Sequence, residues 1–146
     1  MPLIRRETSG VSAQSIDTSK LAAALRDGTD DERWAAARSA GDVPEGLSIL
    51  KDALSRETNP RVREAIFTGL ARIRTPESAA AVLAHLGSDD ASLRAGALDA
   101  LRAMPVATAP HIAGLLKNAD PNVRLLAAHQ FASQQSNVGI GEPFAG

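Results

Sequence analysis

A twelve-residue pattern that occurs three times, with a weaker fourth copy, constrains this chain more than any other feature. It reads Asn59-Pro60-Arg61-Val62-Arg63-Glu64-Ala65-Ile66-Phe67-Thr68-Gly69-Leu70 in the first of the three full copies. Stretches 90–101 and 120–131 repeat it, and 29–40 is the weaker version. The arginines at its fifth position, Arg33, Arg63, Arg94 and Arg124, stand 30, 31 and 30 residues apart. A fixed period of this size means stacked supersecondary units, because one unit alone cannot bury its own apolar face.

Each copy predicts a helix with a built-in start. Thr29, Asn59, Asp90 and Asp120 stand four residues before the arginine, where a side-chain oxygen can accept from the first free backbone N–H groups. Pro60 and Pro121 follow at the first helical position, where a missing N–H costs nothing. Counting from the arginine, apolar residues fall at −1 (Val62, Leu93, Val123) and +3 (Ala36, Ile66, Ala97, Ala127). They continue at +4 (Ala37, Phe67, Leu98, Ala128) and +7 (Ala40, Leu70, Leu101, Phe131), which makes one helix face. Glu32 is a polar departure at −1, as expected at a stack end that no neighbour covers.

The 146 residues suffice for one domain with a real core. Of these, 44% are hydrophobic but only 3% aromatic, so alanine and leucine do most of the packing, which favours closely spaced helices over a sandwich. A formal net charge of −1 gives no bulk pull toward nucleic acid or anionic membrane. The absence of cysteine removes disulfides, thiolate metal sites and a cysteine nucleophile. No apolar run approaches the roughly 18 residues of a membrane span. The start, Met1 to Arg6, lacks the apolar middle of a signal peptide. The expected location is cytoplasmic.

Three regions follow. Residues 1–16 have no helical period and read as an extended or mobile arm, in which Leu3 and Ile4 could lie on the first repeat. Residues 17–133 read as four helix pairs. The first helix of each pair is expected near 20–26, 45–56, 78–86 and 108–117, and the second carries the arginine motif. Thr75 and Pro76 open the third pair as cap and first helical residue, and Met104-Pro105 reads as a break. Residues 134–146, rich in Gly, Gln and Ser, read as an irregular tail. The fold class expected is all-α, a right-handed α-solenoid of about four stacked helix pairs.

At the level of Asp/Asn-x-x-Val/Leu-Arg followed by apolar +3, +4 and +7, the chain resembles the HEAT repeats over about residues 17–133. Stretch 120–128 is the strongest match, 59–65 and 90–98 are good, and the Thr29 copy is the weakest. The short period is similar to the bacterial subclass named for phycobilisome lyases. The resemblance implies a ladder of ion pairs between loop acids and motif arginines, here Asp90 and Asp120 with Arg63, Arg94 and Arg124. Thr29 and Asn59 replace the acid in the first two copies. It also implies that the second helix of each pair lines a concave, partner-binding side.

Sites for chemistry are not apparent. His85, His111 and His129 show no metal-ligand spacing with one another. No phosphate loop or dinucleotide fingerprint occurs. Asp30, Asp31 and Glu32 suit the positive end of a helix better than a catalytic pair. No serine stands in a nucleophile elbow. Arg61, Arg63, Arg72, Arg74 and Arg102 give the middle a basic cast, but acids interleave and aromatic residues for base stacking are nearly absent.

The expected function is therefore a non-catalytic protein–protein interaction scaffold or adaptor with no cofactor and no metal. The partner is another protein, and nucleic acid and membrane are disfavoured. The alternatives are a subunit of a bilin lyase or isomerase-type enzyme, a tetrapyrrole-binding protein, or a nucleic-acid-binding HEAT-like protein. Opposite the apolar stripe, the 100° rotation per residue places Asp31, Trp34 and Arg38; Arg61, Glu64 and Thr68; Asp99 and Arg102; and Asn122, Leu125 and His129. The candidate binding residues are Trp34, Arg38, Arg61, Glu64, Thr68, Asp99, Arg102, Leu125 and His129. Trp34 is either an exposed anchor or is covered by the N-terminal arm. The last copy, with Leu126, Ala127 and Phe131, is expected to leave an apolar edge that the tail covers or that pairs with a second copy as a homodimer.

Overall fold

The computed structural model describes residues 18–145, with side chains as far as Gln134. The expected arm, 1–16, lies outside the described residues, as do the side chains from 135 onward. Every regular element among the described residues is helical, so the all-α solenoid class of the sequence holds. None of these helices is long and apolar enough to cross a membrane. The chain divides into two units, 1–73 and 74–146.

The first unit contains α1 (18–27), α2 (Asp30–Ala40), α3 (Gly46–Arg56) and α4 (Pro60–Ile73). Two motif helices, α2 and α4, run parallel, as ion pairs at both ends show. Asp31 Oδ1 meets Arg61 Nη1 at 3.0 Å near the N-termini, and Asp42 pairs with Arg72 near the C-termini. Between those ends the backbones nearly touch. A Cβ built on Gly69 would lie 3.1 Å from Ala37 O and 2.8 Å from Leu50 Cδ1. Ala36, Ala37 and Ala40 on α2 and Val62, Ile66, Phe67 and Leu70 on α4 are buried, together with Leu50, Ala53 and Leu54 of α3. These are the −1, +3, +4 and +7 positions of the motif, as the periodicity requires.

The second unit contains α5 (Pro76–Leu83), α6 (Ala91–Arg102), α7 (Pro105–Thr108), a 3-10 turn Ala109–His111, α8 (Ile112–Leu115) and α9 (Pro121–Ala145). Its motif helices are also parallel: Gln130 Nε2 donates to Leu101 O at 2.8 Å, and Gln134 Nε2 to Pro105 O at 3.3 Å. The sequence places one helix at 108–117, but the structure starts it at Pro105 and breaks it at Pro110. Pro105 takes the first helical position, where no donor is needed. Pro110 then removes an N–H inside the element, and three residues tighten into the 3-10 turn.

Two further expectations change here. Helix α9 continues to Ala145, so its backbone does not end near Ser133. Its apolar face is also rotated. Val123, Leu126, Ala127 and Gln130 are buried, while Ala128 and Phe131, assigned to the core stripe, are exposed. Leu126 and Ala127 therefore do not contribute to an open edge. Leu98, also assigned to the stripe, is half-exposed.

The loops before the motif helices share one construction. The capping oxygens sit as expected: Thr29 Oγ1 accepts from Glu32 N at 3.2 Å, Asn59 Oδ1 from Arg61 N at 2.9 Å, Asp90 Oδ1 from Ser92 N at 2.9 Å and Asp120 Oδ1 from Asn122 N at 2.9 Å. Two residues before three of these caps stand Glu57, Ser88 and Asn118. Each accepts from the cap residue's backbone N–H through its side chain, at 3.1, 3.1 and 2.9 Å. Each also accepts from the motif arginine through its carbonyl. Arg63 Nε donates to Glu57 O at 2.8 Å, Arg94 Nη1 to Ser88 O at 2.6 Å and Arg124 Nη1 to Asn118 O at 2.8 Å. Arg33 does the same to Gly28 O at 2.8 Å. Each motif arginine thus satisfies a loop carbonyl ahead of its own helix. Among the pairs the resemblance implies, Arg94 and Asp120 are not joined.

Candidate functional site: the outer face of α2 and α4

The cross-helix contacts between α2 and α4 build this face. Trp34 projects from the first turns of α2, is half-buried, and carries a guanidinium on either hand. Arg61 Cζ of α4 lies 4.7 Å from the ring centroid, and Arg38 Cζ, one turn along α2, lies 5.1 Å away. At partly exposed positions such contacts are worth about 0.5–1 kcal/mol each. Arg61 is held from behind by Asp31, 3.0 Å away. Arg38 makes no ion pair among the described residues. Arg61 is therefore tethered to both Asp31 and the ring, and Arg38 to the ring alone.

Trp34 is thus neither a bare anchor nor a core residue. An arginine of its own repeat and one of the next lie over the ring. The other option, cover by Leu3 and Ile4, lies outside the described residues.

Glu64 and Thr68 are exposed on the same helix as Arg61, and the Thr68 hydroxyl donates to Glu64 O at 2.9 Å. In the second unit Asp99 and Arg102 are exposed on α6 and paired with each other at 2.8 Å, while Leu125 and His129 are exposed on α9. So the structure brings Trp34, Arg38 and Arg61 together as one cluster beside Asp31. Asp99 with Arg102, and Leu125 with His129, stand on helices of the other unit.

One residue escaped the sequence reading. Glu57 is buried, and its carboxylate takes Arg33 Nε on one oxygen at 2.9 Å and Arg33 Nη2 on the other at 3.2 Å. The same second oxygen accepts from Asn59 N at 3.1 Å. Arg33 also pairs with Asp30 at 2.6 Å, and Glu57 foremost holds the guanidinium pKa above its ordinary value. A small polar cavity of about 200 Å³, lined by Arg26, Arg33, Arg56, Glu57 and Thr58, opens beside this pair. A larger groove of about 510 Å³ lies between α1 and α2, lined by Leu21, Ala24, Ala36 and Val43 with Lys20 and Glu32. The signal that could have marked Glu57 is its column. It stands two residues before the cap, where the later repeats carry Ser88 and Asn118.

Of the histidines, His111 Nε2 lies 3.2 Å from Pro76 O, His129 is exposed and His85 is half-buried. Compared with known families, residues 18–102 match the family described as HEAT repeats. The match spans copies one to three and stops short of the copy at 120–131, the one whose motif is most complete. Among curated proteins none matches the chain.

Proposed function

From the chain's membership of the HEAT-repeat family, which the match over more than half its length establishes, we propose that it is a non-catalytic scaffold or adaptor that binds another protein. The α2–α4 face is the binding surface, with Trp34 at its centre and Arg38 and Arg61 as flanking contacts. The observation that carries this reading is the Trp34–Arg38–Arg61 cluster. Tryptophan and arginine are the side chains that dominate binding energies at interfaces. Here both arginines are tethered to the ring, which lowers the entropic cost of ordering them on association. Glu64 and Thr68 extend the surface along α4. A cytoplasmic location accords with the reading.

The test is a comparison of three baits in extracts of the native host. Wild-type protein is expected to retain a discrete protein that a Trp34→Ala, Arg38→Ala double variant loses, while an Asp99→Ala, Arg102→Ala variant retains it. Identical retention by all three baits contradicts the assignment. The short repeat period motivates a second reading, a tetrapyrrole-binding subunit. A stoichiometric spectral change on titrating bilin or haem would place that reading first.

A further inference from the structure

Helix α9 has two apolar faces, and only one is occupied. Val123, Leu126, Ala127 and Gln130 pack inward, against α6 and α8. At about 100° per residue, Leu125, Ala128, Phe131 and Ala132 gather on a separate face with the stem of Arg124. Leu125 is 69% and Phe131 48% exposed, and both alanines are exposed. In the earlier motif helices position +7 is buried, and so is +4 in the first two, whereas Leu98 at +4 of α6 is half-exposed. Ala37 and Ala40 of α2 are fully buried, and α4 packs on that helix. Leu101 at +7 of α6 is fully buried where α9 packs. At +4 and +7, α9 presents positions that packing covers in α2, while Leu125 stands at +1, where Glu64 and Ala95 of the earlier copies are exposed.

We propose that a second copy of this chain covers the exposed face of α9, through an isologous antiparallel pairing of α9 with α9 centred on Ala128. Three observations select that occupant. The first is spacing. Leu125 and Phe131 lie three residues either side of Ala128, so reversal about Ala128 sets each Leu125 against Phe131 of the second copy, with the smallest side chain at the crossing. A two-fold interface requires such self-complementarity. The second is charge. Stretch 121–134 carries Arg124 and no acid. The antiparallel register sets Arg124 against Ala132, whereas a parallel register sets it against Arg124 of the second copy. The third is the course of the chain. The stretch that follows continues α9 to Ala145 along the same helix rather than turning back over the face.

The interface is small, so the dimer is expected to dissociate in the micromolar range, on the order of 1–100 µM. Sedimentation equilibrium of the full chain should show a concentration-dependent monomer–dimer equilibrium. Phe131→Glu, and separately Leu125→Glu, should weaken it at least about 10-fold, with circular dichroism and melting temperature unchanged because both side chains are exposed in the monomer. The chain has no cysteine, so single cysteines report the register directly. Under mild oxidation Ala128→Cys should give a disulfide-linked dimer. Asn122→Cys and Ser133→Cys, on the polar face, should not. A monomer at every concentration, a dimer that survives Phe131→Glu, or cross-linking at Asn122→Cys as fast as at Ala128→Cys would each overturn the proposal.

Discussion

Arg33 Nε lies 2.9 Å from Glu57 Oε1, and this one ion pair joins the first repeat to the loop that starts the second motif helix. Glu57 is buried and Arg33 largely so. Removing the acid leaves Arg33 Nε and the Asn59 N–H without their acceptor, while Asp30 and Gly28 O still hold the rest of the guanidinium. Glu57→Ala is therefore expected to cost about 3 kcal/mol, the lower end of the range for breaking a buried pair. Glu57→Gln, which keeps an acceptor, should cost about half as much. Urea denaturation of the two variants checks the order, and equal losses would mean that charge contributes nothing here.

Gly69 is a point of close approach between α4 and α2. In an open helix, replacing glycine by alanine would gain about 1 kcal/mol. Here the new methyl meets Ala37 O at 3.1 Å and the buried Leu50 Cδ1 at 2.8 Å. Gly69→Ala is expected to destabilise by about 1–3 kcal/mol through overpacking. A gain in melting temperature would show that the helices can move apart freely.

The chain leaves α4 through Arg74, whose φ of 57° is the left-handed conformation of a helix C-cap. Glycine adopts it without the Cβ clash. Arg74→Gly should raise stability by about 0.5–1 kcal/mol after the loss to unfolded-state entropy. The same denaturation series reads it.

Glu32 completes the cap of α2. Its Oε1 accepts from Thr29 N at 2.8 Å, and that backbone bond, with the Thr29 hydroxyl second, holds its pKa below the ordinary value of 4.5. A carboxyl depressed in the folded state stabilises above its unfolded pKa, and the contribution is lost as pH falls through the folded value. Acid titration should therefore erode wild-type stability more steeply than that of Glu32→Ala in the window below about pH 4.5. A side-chain NMR titration should place the Glu32 midpoint below the ordinary value.

Much of this architecture is legible in the sequence because it is local. A cap, a proline at the first helical position and a period of 3.6 residues each act within one turn, so Thr29, Asn59, Thr75, Asp90 and Asp120 could be placed from their neighbours alone. Glu57 could not, because its partner is 24 residues away and the family pattern puts the acid at the cap. The fourth repeat was legible in part: Phe131 is exposed, as the expected apolar edge requires, while Leu126 and Ala127 are buried where α6 and α8 pack on α9. The Trp34 cluster was half legible. Arg38 and Arg61 are exposed, as rotation about each helix axis suggests, yet such rotation does not reveal that arginines from two helices converge on one ring.

The binding surface can be read through the same ring, because Trp34 is the only tryptophan and the chain has no tyrosine. All of the protein's near-ultraviolet-excited emission near the indole band reports on this one position. The decisive measurement is a fluorescence titration of the protein with its isolated partner, repeated with Arg38→Ala. The account predicts a saturable change in Trp34 emission on binding. It also predicts an affinity at least about 10-fold weaker for Arg38→Ala, with the melting temperature lowered by no more than a few degrees. Binding of equal strength in both proteins, with no change in Trp34 emission, would contradict it.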